Sequence, residues 1–546
     1  MRHVVVLATA AVTACVLAGA ALAGVAGWSS TVPFTNQVAS SAVAGGGYPT
    51  PTGAPVPGTC GPGMMNSNRS ESWLAVKPGT EDVLGVSKFF FDKWSTFYNF
   101  YLGSYTIPRG EPAGNVEIPG YDCTTTGTQA MPPTWTNNTD PNVAFDTKGR
   151  AYQVTLPFNA YWTNLHPNGA IGAVYSDDLG KTWTTANSGK YLELLNNQST
   201  TATGGYQDKQ WVAVNANPLS LYRDHVYAAW AVFDGNNAKV HFSVSRNRGQ
   251  TFSKPVDLTI PSQTGNSTTY VYPSVDASGD LYIAIAAFDN KSGYIDADIF
   301  VTRSTDDGVS FAPWTKVARA SGNPGEFANG NFRDGILESF AASVTYPGHL
   351  YIAYESWDGT QMDVKLSESD DGGFTWIDRG TVNDASNSAS TDQFQPSIAT
   401  GPGGAMAVAF YDRRGACPDD PSVLAADVGA GNTCIDTSLQ AYKERRDGLA
   451  LARGGNVRIS DYAWDASNPA QHVEGYGQLA CSSHSDPCRE TFIGDYFGLA
   501  ISAKNIYTLG VSTHYPSSVT ADEGGPVYYQ QQVLASVSRS AFRTGY

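Results

Sequence analysis

The sequence predicts an all-β fold, a single β-propeller of four-stranded antiparallel blades, with seven blades expected and six the alternative. Three observations predict it: an eight-residue turn motif that occurs four times, a strand–turn–strand pattern that occurs seven times, and a composition suited to short strands. Aromatic residues make up 12% of the 546 residues and charged residues 15%, with 56 glycines and 30 prolines. That balance fits many short strands joined by turns better than long, charged surface helices. A propeller uses such length as one closed ring.

The first 23 residues read as an export signal. Arg2 and His3 precede an apolar, alanine-rich run, and Ala21-Leu22-Ala23 forms a small-residue cleavage site. Secretion is therefore expected. A lipid anchor at Cys15, after Val12-Thr13-Ala14, is the weaker alternative because apolar sequence continues beyond the cysteine. No later stretch reads as a membrane span. Residues 24–59 are rich in Ser, Thr, Gly and Pro and are expected to be a flexible segment. Residues 60–546 are expected to form the propeller, acting as a monomer. The formal charge of −16 argues against nucleic acid, whose phosphates such a surface repels.

Removing the signal leaves six cysteines, an even number in an oxidising compartment. Local spacing suggests Cys481 with Cys488 and Cys417 with Cys434, which leaves Cys60 with Cys123; sequence leaves the connectivity open. None of them has zinc-ligand spacing. No cofactor is required by the reading, although a structural calcium ion near Asp296 and Asp298 is an option that the short spacing weakly supports.

The turn motif follows the pattern Ser-x-Asp-x-Gly-x-Thr-Trp. It occurs at Ser176–Trp183, more loosely at Ser245–Phe252, then at Ser304–Phe311 and Ser369–Trp376. Its Asp or Asn can bond nearby backbone amides, its Gly supplies a positive φ, and the closing aromatic can tuck between sheets. One octet carries little weight; four at blade-like spacing indicate a repeat architecture. Short β runs start each repeat at Ser72, Pro141, Gln210, Pro273, Ala341, Pro396 and Phe492, which is the basis for seven blades. The final run, from Pro526 to Val537, is expected to complete the first or the last blade, since an open ring would expose an unpaired edge.

At the four octets the chain resembles the sialidase superfamily, whose Asp boxes, or BNR repeats, mark propeller blades. The resemblance covers most of the chain from about residue 68. It implies that the octets lie between third and fourth strands, opposite the active site, so that Asp178, Asn247, Asp306 and Asp371 are structural. The family's Phe/Tyr-Arg-Ile-Pro motif is missing; the nearest match is Ile107-Pro108, with Arg109 on the wrong side.

Connections in an antiparallel blade alternate between the two faces of the ring. With the octets on one face, the other carries residues that precede first strands or follow second strands, around the axis. The first set includes Arg69, Glu71, Asp140, Asp208, Lys209, Tyr270, Tyr272, Arg333, Asp334, Glu338, Asp392, Gln393, Arg489 and Glu490. The second set includes Trp162, His166, Glu355, Trp357, Arg413, Arg414 and His514. From these, Glu355, Asp334, Glu338 and His166 are the candidate acid–base groups. Arg333, Arg413, Arg414 and Arg489 are candidate anion clamps, and Trp162, Tyr272 and Trp357 candidate stacking surfaces. Asp208-Lys209 also reads as an ordinary ion pair at a strand start, and Asp495-Tyr496 as a blade-fixing element.

Three functions fit. A glycoside hydrolase acting on a terminal acidic sugar leads, using paired carboxyls or a carboxyl with a tyrosine. A lyase of uronate-containing polysaccharides would use His166 or His514 with Arg413. A non-catalytic glycan- or protein-binding propeller is the third.

Overall fold

The computed structural model describes residues 28, 30–40, 50–51, 60–61, 68–90, 100–117, 137–158, 169–195, 205–235, 237–289, 295–324, 327, 330–335, 338–385, 391–415, 432–466, 476–477, 480, 490–520, 524–542 and 546. They form a seven-bladed β-propeller. Blade 1 runs through strands Arg69–Val76, Val83–Phe90, Phe100–Ile107 and Gly114–Glu117. Blades 3, 4 and 5 repeat that order, with inner strands Tyr206–Val214, Thr268–Val275 and Glu338–Ala342. In blade 2 the inner strand is split into Asn137–Thr139 and Ala144–Phe145. In blade 6 the outer strand is broken into three short pieces that all pair with Cys434–Arg445. The core lies between blades, where alternate strand residues such as Val240, Ile283 and Ile352 are fully buried.

The four octets form the expected turns, each between the third and fourth strands of its blade. In each, the Ser hydroxyl bonds the Asp or Asn oxygen two residues on, at 2.8–3.0 Å. The Gly amide donates back to that Ser, at 2.8–3.0 Å. The amide four residues beyond the Asp or Asn donates to its oxygen at 2.9 Å. Gly180, Gly249, Gly308 and Gly373 stand at φ 76–87°, and each follows another left-handed residue. Trp183 is buried, and its indole N–H donates to Ser104 of blade 1 at 3.0 Å, tying two blades together. Phe252, Phe311 and Trp376 are half-buried.

Ring closure departs from the sequence reading. Phe34–Val38, expected within a flexible segment, is the outer strand of blade 7 and pairs antiparallel with Gln531–Ser538, Phe34 facing Val537. Composition hides a five-residue strand among small and polar residues, whereas the free edge of Gln531–Ser538 demands a partner. Just upstream, Trp28 donates to Ser438 of blade 6 at 2.8 Å. The final run divides. Gln531–Ser538 is the third strand of blade 7, while Pro526–Tyr528 joins a small accessory sheet with Tyr476–Gly477 and Pro516–Thr520. The inner strand of blade 7 begins at Gly498, so the run at Phe492 leads into it and places Asp495 and Tyr496 at the axis. The signal segment lies outside the described residues, as do Cys123, Cys417, Cys481 and Cys488, one or both members of every expected disulfide.

Candidate active site at the axial mouth

The face opposite the octets carries the starts of the inner strands, and there the backbone does something unusual. Glu71, Asp140, Lys209, Tyr270 and Gln395 all adopt positive φ, between 41° and 57°, although none is glycine. In blade 7 the corresponding turn uses Gly494, at φ 103°. Four of these strands also slip register there, between Ser70 and Ser72, Asp208 and Trp211, Thr269 and Tyr272, and Phe394 and Ser397. A left-handed non-glycine residue costs about 1–2 kcal/mol, and a bulge re-aims a side chain out of the pleat. Five such residues around one axis mark the place where the fold accepts strain to converge polar groups.

Two residues beyond four of these turns stand Trp73, Trp211, Tyr272 and Tyr496. Trp211 meets Trp73, Tyr272 and Tyr496 edge-on at ring distances of 4.8, 4.7 and 5.1 Å. The four rings form an aromatic floor across the channel, and the charged groups gather next to it.

Asp495 is the hub of that charge cluster. Its carboxylate accepts Lys209 Nζ at 2.7 Å and Arg333 Nη2 at 2.7 Å on both oxygens. The Lys209 ammonium also lies 3.8 Å from Asp140 and 3.9 Å from Glu71, and Lys88 pairs with Glu71 at 2.7 Å. Lys88 and Arg333 both sit over the Phe492 ring, 4.7 Å from its centre. Burial opposes ionisation of Asp495, but Arg333 and Lys209 outweigh it and hold the carboxyl far below its usual range. Asp140 is likewise lowered, with Lys209 and Lys88 overcoming burial.

Asp208 behaves in the opposite way. Burial, reinforced by neighbouring Asp140 and only partly offset by Lys209, pushes its carboxyl up to about 7. Asp140 and Asp208 both accept the Lys209 amide, at 3.0 and 2.9 Å. The mouth thus holds a protonatable carboxyl beside an ionised one. Tyr270, half-buried, has its ring 5.2 Å from the Lys209 ammonium, and its hydroxyl makes no hydrogen bond to a described residue. Burial and the nearby Asp495 raise its pKa, so it keeps its proton.

The residues singled out from sequence divide into three groups. Arg333 is in the cluster, with about a third of its side chain exposed. Gln395 joins two of the carboxyls: its amide N–H donates to Glu355, and its side chain reaches Asp334 at 3.4 Å. Glu338 is buried beside Tyr272, burial pushes its carboxyl well up, and neither oxygen has a hydrogen-bond partner among the described residues. Tyr272 belongs to the aromatic floor, and Trp357 packs half-buried against Gly322 of blade 4. Arg413 and Arg414 are buried and spent inside blade 6. Arg413 pairs with Asp392 at 3.2 Å, while Arg414 pairs with Asp412 and Asp384 at 2.7 and 2.6 Å. Trp162, His166 and Arg489 lie outside the described residues. Arg109 sits in a turn on the octet face, away from the mouth. Asp296 and Asp298, considered for calcium, instead hold Arg319 at 2.9 and 3.0 Å.

No protein-family model matches the chain, and no curated protein matches it. Among solved structures it is similar to the Hadza microbial sialidase Hz136, at 13% identity and a TM-score of 0.36, covering 74% of this chain and 66% of that one. The chain therefore spans just under two thirds of that sialidase. It is similar to a Trypanosoma rangeli sialidase at 12% identity and a TM-score of 0.40, covering 93% of this chain and 59% of that one. It is also similar to the polysaccharide lyase Uly1, at 10% identity and a TM-score of 0.40, covering 83% and 88%.

The residues that sequence reasoning undervalued are Asp208, Lys209, Tyr270 and Asp495. Asp208, Lys209 and Tyr270 are expected on this face and Asp495 only as a blade-fixing residue; Lys209 is expected to pair with its neighbour Asp208, whereas its ammonium goes to Asp495, 286 positions away. A signal was present. Glu71-x-Trp73, Lys209-x-Trp211 and Tyr270-x-Tyr272 repeat a polar–x–aromatic step at matching points of three blades.

Proposed function

We propose that this is a secreted carbohydrate-active protein that binds an acidic glycan at the axial mouth and hydrolyses a glycosidic bond there. The observation that carries the reading is Asp208, whose proton is held to about pH 7 at the mouth beside ionised Asp140 and the cations Lys209 and Arg333. A carboxyl that keeps its proton near neutrality can donate it to the glycosidic oxygen as the anomeric C–O bond breaks. Ionised Asp140 and Asp495 would stabilise the positive charge that develops on the sugar, and water would complete the hydrolysis. Arg333, paired with Asp495 and with about a third of its side chain exposed, brings positive charge to the mouth that favours a substrate carboxylate or sulfate.

One observation favours elimination instead. Tyr270 presents a protonated hydroxyl, without a hydrogen bond to a described residue, beside Lys209 and Asp495, and could protonate a leaving oxygen in a lyase. The mature protein incubated with a panel of acidic glycans separates these readings. Reducing ends that appear without absorbance from unsaturated uronates, and that disappear with Asp208→Asn, support hydrolysis. Both signals rising together make the protein a lyase, and no product from any glycan leaves a binding propeller.

A further inference from the structure

We propose that a second carbohydrate subsite lies in a shallow cleft between blades 6 and 7, and that it takes a neutral sugar residue stacked on Tyr462. This inference rests on the carbohydrate reading above, but not on catalysis. The cleft runs between Thr437 of the blade 6 strand Cys434–Arg445 and Ser512, which ends the blade 7 strand Asn505–Ser512. Those two strand ends belong to the connections on the mouth face, so a glycan held at the axis and one held here would be approached from the same side.

The chemistry of the lining sets the class of ligand. Asn36, Thr437, Ser460, Thr508 and Ser512 line the cleft with the rings of Tyr462 and Tyr515, and among the described residues no Asp, Glu, Lys or Arg lines it. This contrasts with the mouth, where Arg333 and Lys209 suit an anion. A lining of neutral donors, acceptors and ring faces matches the hydroxyls and C–H face of an uncharged sugar.

Tyr462 is also presented rather than merely exposed. Tyr462 is 42% exposed, and its ring lies parallel to the His514 imidazole at 4.0 Å and 16°, with Tyr515 edge-on at 5.7 Å. Asn36 pins the segment from below. It accepts the Asp461 amide at 2.6 Å and the Tyr515 hydroxyl at 3.4 Å, and donates to the Ile459 carbonyl at 2.9 Å. A ring fixed before the ligand arrives loses little side-chain entropy on binding.

The test is calorimetric titration of the full-length mature protein with β-1,4-linked hexasaccharides of glucose, xylose, mannose and galactose. At least one is expected to bind. Tyr462→Ala should weaken that binding about tenfold, the effect of losing a stacking contact of about 1.4 kcal/mol. Tyr462→Phe should retain it within about twofold, and Asp208→Asn should leave it unchanged. No binding of any hexasaccharide to the wild type, or equal binding by Tyr462→Ala, overturns the proposal. Hexasaccharide binding by a wild type that cleaves none of the acidic glycans would reject the hydrolase and keep the subsite.

Discussion

Replacing Asp495 by asparagine keeps the shape of the side chain and removes the charge on which the axial cluster depends. In the wild type that carboxylate holds Lys209 at 2.7 Å and Arg333 through both oxygens at 2.7 Å, and it is itself 2% exposed. Removing one partner of a buried pair leaves uncompensated charge in a poorly solvated place and costs about 3–5 kcal/mol. With an unfolding entropy of about 2.1 cal/mol/K per residue, that is a fall in Tm of roughly 3–4 °C for the 546-residue chain. The pH dependence gives a second readout. The folded value of Asp495 is depressed, so its stabilisation is fully present above the unfolded value of about 3.9 and is lost as pH falls through the folded one. Asp495→Asn should therefore lose the most stability at pH 7 and only somewhat less at pH 3, because the wild-type advantage disappears only as pH falls through the folded value, which lies far below the usual carboxylate range; thermal melts across that range measure this. The control is Asp177→Asn, which removes a two-point pair with Arg150 at 2.8 Å whose carboxylate is 59% exposed. Exposed pairs contribute about 0–1 kcal/mol. Equal melting of the two variants at pH 7 would refute the account of Asp495 as the hub of a buried cluster.

Three further outcomes are expected. If Asp208 is the proton donor, wild-type activity falls as pH rises through about 7, and Asp208→Asn is inactive at every pH across that range. The same raised value means that Asp208 favours folding most below about pH 4 and progressively less as pH rises toward 7, which melts of wild type and Asp208→Asn compare directly. Deleting residues 28–40 strips the outer strand from blade 7 and exposes the edge of Gln531–Ser538; a lower Tm in thermal melts and edge-to-edge association by light scattering are expected, and an unchanged Tm and particle mass would contradict that closure. Gly249→Ala forces an L-residue to φ 81° with its Cβ 3.1 Å from Tyr152, at a cost of about 1–2 kcal/mol, whereas Gly114→Ala, with nothing within 4 Å, should cost less than about 0.5 kcal/mol by denaturant titration.

What the sequence alone determined is local or periodic. The octet turns close their hydrogen bonds within eight residues, from Ser176 to Trp183 for instance, so their residues announce them. Strand alternation and the spacing of the repeats then yield seven blades, and the alternation of connections assigns the mouth to the opposite face. Tertiary structure decided the rest, because ion pairs between distant residues leave no local trace. Sequence could place Arg333, Arg413 and Lys209 on one face, but nothing in their neighbours says that Arg413 is consumed by Asp392 while Arg333 and Lys209 converge on Asp495. It could place Asp208 next to Lys209, but the retention of its proton to about pH 7 follows from burial and from Asp140, both products of the closed ring. Even the closure hid in composition: Phe34–Val38 is a strand because the edge of Gln531–Ser538 lies beside it, and five polar and apolar residues alone do not require one.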